Sequence, residues 1–102
     1  MFAEIDALTL KKWMKNGDVT LLDVRDYDEY QEGHIPDAQL YTFTEFPLKD
    51  LDTEHQKIVL YCKTSRRSGE MLCHFYEQGI TELYHLGGGY LAWQLSDQLY
   101  PA

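Results

Sequence analysis

Lys57-Ile58-Val59-Leu60-Tyr61-Cys62-Lys63-Thr64-Ser65-Arg66-Arg67-Ser68 changes character halfway along, and that change decides the fold. Ile58 to Tyr61 is a short, strongly apolar run, the pattern of a strand buried on both faces. The run passes directly into Cys62 and a polar, cationic loop. A helix is expected over 68–78, with Met71, Leu72 and Phe75 on one face and Gly79 as its C-cap. Strand, loop and helix in that order form half of a βαβ unit.

The same alternation continues toward both ends. Upstream, Asp6 caps a helix whose apolar positions are Leu10, Trp13 and Met14, and Asn16-Gly17 ends it. Val19 to Val24 reads as a second buried strand. Asp26 to Glu32 reads as a short polar helix stopped at Gly33, since Ile35-Pro36 cannot continue it. A short strand is expected over 38–41, and one helical turn limited by Pro47 over 42–52. Downstream, Leu83 to Leu86 is a short strand and Gly87-Gly88-Gly89 a turn. Tyr90 to Gln98 is a final helix, with Leu91, Trp93, Leu95 and Leu99 for packing. Alternating strands and helices imply an α/β fold with a mainly parallel sheet and helices on both faces. Ligand sites in such sheets lie beyond the carboxyl ends of the strands, and there stands Cys62.

Composition sets the outer limits. The 102 residues suit one domain over 1–102, and 44% hydrophobic with 25% charged residues are globular proportions. Nine basic residues against seventeen acidic ones give a net charge of −8. That field disfavours nucleic acid and anionic membranes as partners. No run has the length of a membrane span, and the first residues carry no secretory pattern. Two cysteines in such a chain suggest free thiols in a reducing cytoplasm.

Three of the nine basic residues, Lys63, Arg66 and Arg67, fall within five positions of the cysteine loop. Three effects should act on the Cys62 thiol. The following helix aims free N–H groups and its positive dipole end at the loop. A tight strand-to-helix turn makes a nest of inward N–H groups. The side chains add whole charges. All three favour the thiolate, which is the nucleophile. Thr64, Ser65 and Ser68 can donate hydroxyl hydrogen bonds to a bound anion, although Ser68 also reads as the N-cap of the helix. Cys73 lies opposite the apolar stripe of its helix and reads as a structural or incidental thiol, with a resolving role as the alternative.

At this point the chain resembles a known family. Leu22-Asp23-Val24-Arg25, then Glu29-Tyr30, then Gly33-His34-Ile35-Pro36-Asp37-Ala38 resemble the ordered signature of rhodanese domains. Cys62 followed by Arg67-Ser68, and Gly87 to Trp93, resemble their active-site loop and last segments. The resemblance implies a three-layer α/β/α fold with about five strands. It also implies sulfurtransfer through a Cys62 persulfide, from a small anionic donor such as thiosulfate to cyanide, a thiol or a sulfur-carrier protein. Residues 63–68 would bind donor and persulfide. Asp23, Arg25 and Glu29 would be architecture below the loop, with Arg25 and Glu29 pairing locally. Related phosphatases carry Arg six residues after the cysteine; here that position is Ser68 and Arg67 stands fifth, so the cradle is tighter. One departure is Ser65, where many family loops have Gly; a positive φ there would strain it. Asp37 also replaces a common Gly, in a turn read as structural.

The remaining candidates read more plainly. His34 is expected to be a hydrogen-bonded turn residue. His55, His74 and His85 share no ligand spacing, so neither metal nor cofactor is expected. The three glycines fit a flexible turn or a pocket wall equally well. The chief alternative function is a non-catalytic or regulatory module of the same family, binding protein or sensing redox state.

Overall fold

The computed structural model describes residues 4–41, 54–77, 79 and 82–99. Its elements, in chain order, are β1 (Glu4–Ile5), α1 (Ala7–Asn16), β2 (Val19–Asp23), α2 (Tyr27–Glu32), β3 (Gln39–Leu40), β4 (Lys57–Tyr61), α3 (Arg66–Glu77), β5 (Leu83–Leu86) and α4 (Gly89–Leu99). The five strands form one sheet in the order β1-β5-β4-β2-β3, and every pairing is parallel. This is the α/β architecture that the alternation implies.

Period-two alternation along β4 sorts the core into two layers. Ile58, Leu60 and Cys62 face Met71, Leu72 and Phe75 of α3. Val59 and Tyr61 face the other way, toward Ala7 and Leu10 of α1 and Trp93 of α4. Cys62 therefore continues the α3 side of the strand into the loop.

The local signals behave as their chemistry requires. Asp6 accepts the Thr9 N–H at 2.8 Å and caps α1, while Gly17 ends it at φ 77°. Asp26 and Glu29 form a reciprocal capping box on α2. Gly79, at φ 88°, donates to the Tyr76 carbonyl and follows α3. Asp37 takes the left-handed φ of 69°, a conformation a short acidic side chain tolerates.

Several expectations need correcting. β1 escapes the pattern because two residues cannot show a period; it is held by β5, far along the chain. Helix α3 begins at Arg66, two residues before the expected start. Leu91, Leu95 and Leu99 do not pack: they are 47%, 56% and 63% exposed, and Trp93 alone of the four is buried. The turn expected over 42–52 lies outside the described residues. Among the described residues, no helix is long and apolar enough to cross a membrane.

Candidate active site

The site begins where β4 ends. Tyr61 is fully buried; its hydroxyl donates to Asp23 Oδ2 at 2.7 Å and accepts the Ile35 N–H at 3.1 Å. Burial, reinforced by the Asp23 bond, pushes the phenol well above its ordinary range. Asp23 also receives Arg25 in a fork, Nη2 at 2.6 Å and Nε at 2.9 Å, and the Arg25 N–H at 2.9 Å. Arg25 reaches on to the Gly33 carbonyl and lies over the Tyr90 ring, 4.6 Å from its centroid. Burial works against the Arg25 charge, but Asp23 outweighs it and raises its proton affinity. Two buried charges are tolerated here because each is hydrogen-bonded.

Cys62 follows, 1% exposed, at the carboxyl end of the central strand. The loop's carbonyls turn outward to the N-terminus of α4. Tyr90 N–H donates to the Cys62 carbonyl at 2.8 Å, and Leu91 N–H to that of Lys63 at 3.1 Å. Gly89 makes this approach possible, since a Cβ there would collide with the carbonyl oxygens of Cys62 and Thr64. Ser65 Oγ accepts the Gly88 N–H at 2.8 Å, a second tie between the loop and the glycine turn. Gly88 and Gly89 are thus packed directly against the cysteine loop, while the Gly87 N–H donates to the Ile5 carbonyl of β1.

On the other side stands the first turn of α3. The Ser65 carbonyl already accepts the Gly69 N–H, so the helix starts there. Ser68 sits inside the turn and is not the N-cap. Its N–H donates to Cys62 Sγ at 3.3 Å, and its hydroxyl oxygen lies 3.6 Å from the same sulfur. The start of the helix thereby presents a backbone donor directly to the Cys62 sulfur. Ser65 carries no positive φ, so its replacement of Gly brings no backbone strain; Asp37 is the one non-glycine residue with positive φ among the described residues.

The loop's cations divide three ways. Arg67 is held by Glu29 through two bonds, 2.7 and 3.0 Å. Glu29 is accordingly held down to about 2 by the Arg67 guanidinium, and Arg67 is raised in return. Arg25 and Glu29 do not pair, because Asp23 and Arg67 claim them separately. Arg66 points to solvent, 3.5 Å from Glu70 one turn on. Lys63 carries no ion pair among the described residues and lines a shallow depression of about 310 Å³ with Arg25, Glu29, Glu32, Tyr90 and Gln94. Thr64 is exposed.

Of the remaining candidates, His34 bonds the Tyr30 carbonyl at 2.8 Å and stacks on the Tyr30 ring, a turn residue. Cys73 is exposed and free. No cluster of metal-ligating side chains occurs among the described residues. The residue that sequence reasoning missed is His85. Its Nδ1 lies 3.1 Å from Ser68 Oγ, although 17 positions separate the two. No local spacing signals that contact; only the β4–β5 pairing creates it.

Sheet order, cysteine loop and glycine turn define a parallel α/β domain that carries a buried thiol at the carboxyl end of its central strand. The chain matches the family model for the rhodanese-like domain over residues 6–96, and it belongs to that family. It is 33% identical over 95 residues to a thiosulfate sulfurtransferase, GlpE, of Coxiella burnetii, covering 92% of this chain and 89% of that one. It is 30% identical to a sulfurtransferase of Allochromatium vinosum, covering 91% and 89%. A human single-domain sulfurtransferase, TSTD1, shares the fold at a TM-score of 0.79 and 19% identity, over 93% of this chain and 97% of that one.

Proposed function

We propose that this chain is a sulfurtransferase that carries sulfane sulfur as a Cys62 persulfide. The observation that carries the reading is the sulfur of Cys62 at the carboxyl end of β4, met by the Ser68 N–H at the start of α3. The similarity to proteins named thiosulfate sulfurtransferase supports the same chemistry.

In the first half-reaction the Cys62 thiolate attacks the outer sulfur of thiosulfate. A new S–S bond forms, the old one breaks, and sulfite leaves with the electron pair. In the second, a thiolate or cyanide attacks the outer persulfide sulfur, and Cys62 leaves as thiolate. Each displacement is balanced without an added oxidant or reductant, and a ping-pong rate law follows. The Ser68 N–H is already oriented toward developing charge on sulfur, which is preorganised electrostatic stabilisation. Phosphoryl chemistry lacks support: position 68 holds a buried serine where a phosphate-binding arginine would stand, and Arg67 is occupied by Glu29.

Intact mass after incubation with thiosulfate and removal of excess donor is the test. A gain of one sulfur in the wild type, absent in Cys62→Ser, is the expected result. One observation favours a second reading, a binding module of the same family: Cys62 is almost closed to solvent. No gain with thiosulfate or mercaptopyruvate would favour that reading.

A further inference from the structure

Behind the thiol lie side-chain groups that the two displacements do not use: the Ser68 hydroxyl, His85 and Glu4. Ser68 Oγ stands 3.6 Å from Cys62 Sγ and 3.1 Å from His85 Nδ1. His85 Nε2 stands 3.2 Å from Glu4 Oε1. Cys62, Ser68 and His85 are 1%, 0% and 6% exposed, while Glu4 opens to solvent. The four residues come from the loop after β4, from α3, from β5 and from β1, so the tertiary fold assembles them.

The chemistry of the end group orients the chain. An ionised carboxylate only accepts, so His85 Nε2 carries the proton that faces Glu4. In the neutral ring Nδ1 is then the acceptor, and the Ser68 hydroxyl donates to it. That leaves the lone pairs of Ser68 Oγ toward the thiol, which donates its S–H. Burial pushes His85 below its ordinary range, against the opposing pull of Glu4. Leu60, beside His85 on β4, brings no charge.

We propose that His85 is a positioning residue that draws the Cys62 proton through Ser68 and so prepares the thiolate. The Cys62 proton passes to Ser68 Oγ as the Ser68 proton passes to His85 Nδ1. Sulfur keeps the bonding pair, and the imidazolium lies between the Ser68 oxygen and the Glu4 carboxylate. Afterwards the Ser68 hydroxyl donates to sulfur beside the Ser68 N–H, giving the anion two donors. The Ser65 carbonyl, 3.2 Å from Ser68 Oγ, competes for the same hydroxyl proton. If it wins, the chain is broken and His85 only packs.

The role rests on Cys62 as the reacting thiol, yet its test needs no sulfur donor. The ultraviolet thiolate band is followed against pH in a Cys73→Ser background, with Cys62→Ser subtracted. His85→Asn retains a hydrogen bond to Ser68 but takes no proton. The thiolate signal at neutral pH should fall about tenfold and return at alkaline pH. Ser68→Ala should match it, and the double variant should lose no more than either single one. Glu4→Gln, at the exposed end, should shift the curve the same way by less; it and Ser68→Ala decide the matter if His85→Asn does not fold. Curves that coincide with the wild type would overturn the relay. Failure of the persulfide reading looks different: no sulfur gain in the wild type, whatever the titration shows.

Discussion

Glu29 and Arg67 lie 38 positions apart and join α2 to the start of α3 beside the cysteine loop. The pair is partly exposed, 26% and 44%, so screening limits its worth to about 1 kcal/mol. Its pH dependence has a definite sign. The Glu29 carboxyl falls from its ordinary 4.5 to about 2 on folding, so its contribution is complete above about 4.5 and is lost as pH falls toward 2. Glu29→Gln should therefore cost about 1 kcal/mol in urea unfolding at neutral pH, and the gap should close between pH 4.5 and 2. A gap that stays constant through that range would mean the ion pair is not its source. At this scale the sequence reveals which residues are charged near the thiol but not who holds whom. Asp23, Arg25, Glu29 and Arg67 all stand out as side chains. Arg25 finds Asp23 two residues away, a local contact, whereas the partner of Glu29 lies across the fold. His85 was illegible for the same reason.

Helix α4 acts on the site through its first turn rather than through a side chain. Its N–H groups hold the carbonyls of Cys62 and Lys63, so the loop cannot move without losing two hydrogen bonds. The contact depends on Gly89, which combines φ 60° with backbone oxygens where a Cβ would stand. Gly89→Ala should cost more than about 3 kcal/mol, or block folding, because carbonyls of the loop cannot retreat. Gly79→Ala is the matched control. It has φ 88° and open space around the added methyl, so only the conformational cost of about 1 kcal/mol applies. Equal losses in the two variants, measured by denaturant unfolding, would refute that dependence. Element identity was largely readable: α1, α2, β2, β4 and β5 all follow from caps and apolar runs. The start of α3 was not, because a serine that looks like a cap is turned inward by Cys62 and His85. Leu91, Leu95 and Leu99 are exposed because leucine alone does not specify burial; Trp93 occupies the inward side of α4.

The charge of the whole molecule bears on how an anionic donor arrives. The net charge is −8, and the donor proposed here is doubly negative. Local cations could reverse that repulsion only if they outnumber their neighbours. Around the depression they do not: its lining sets Arg25 and Lys63 against Glu29 and Glu32, and Arg25 and Glu29 are each already paired, with Asp23 and Arg67. The near field roughly cancels, and the global field decides. That field is screened over about 8 Å at physiological ionic strength, a distance shorter than the molecule itself. Added chloride salt should therefore raise the rate of Cys62 sulfur loading from thiosulfate, roughly two- to fivefold between about 10 and 150 mM. Lys63→Gln removes a loop cation that carries no ion pair among the described residues and should lower the rate at low salt while steepening its rise. A stopped-time mass assay of persulfide against ionic strength measures both. A rate that falls with salt would mean the loop cations overcome the molecule's charge, as their density along the chain first suggests. A rising rate would mean that pairing across the fold has already neutralised them.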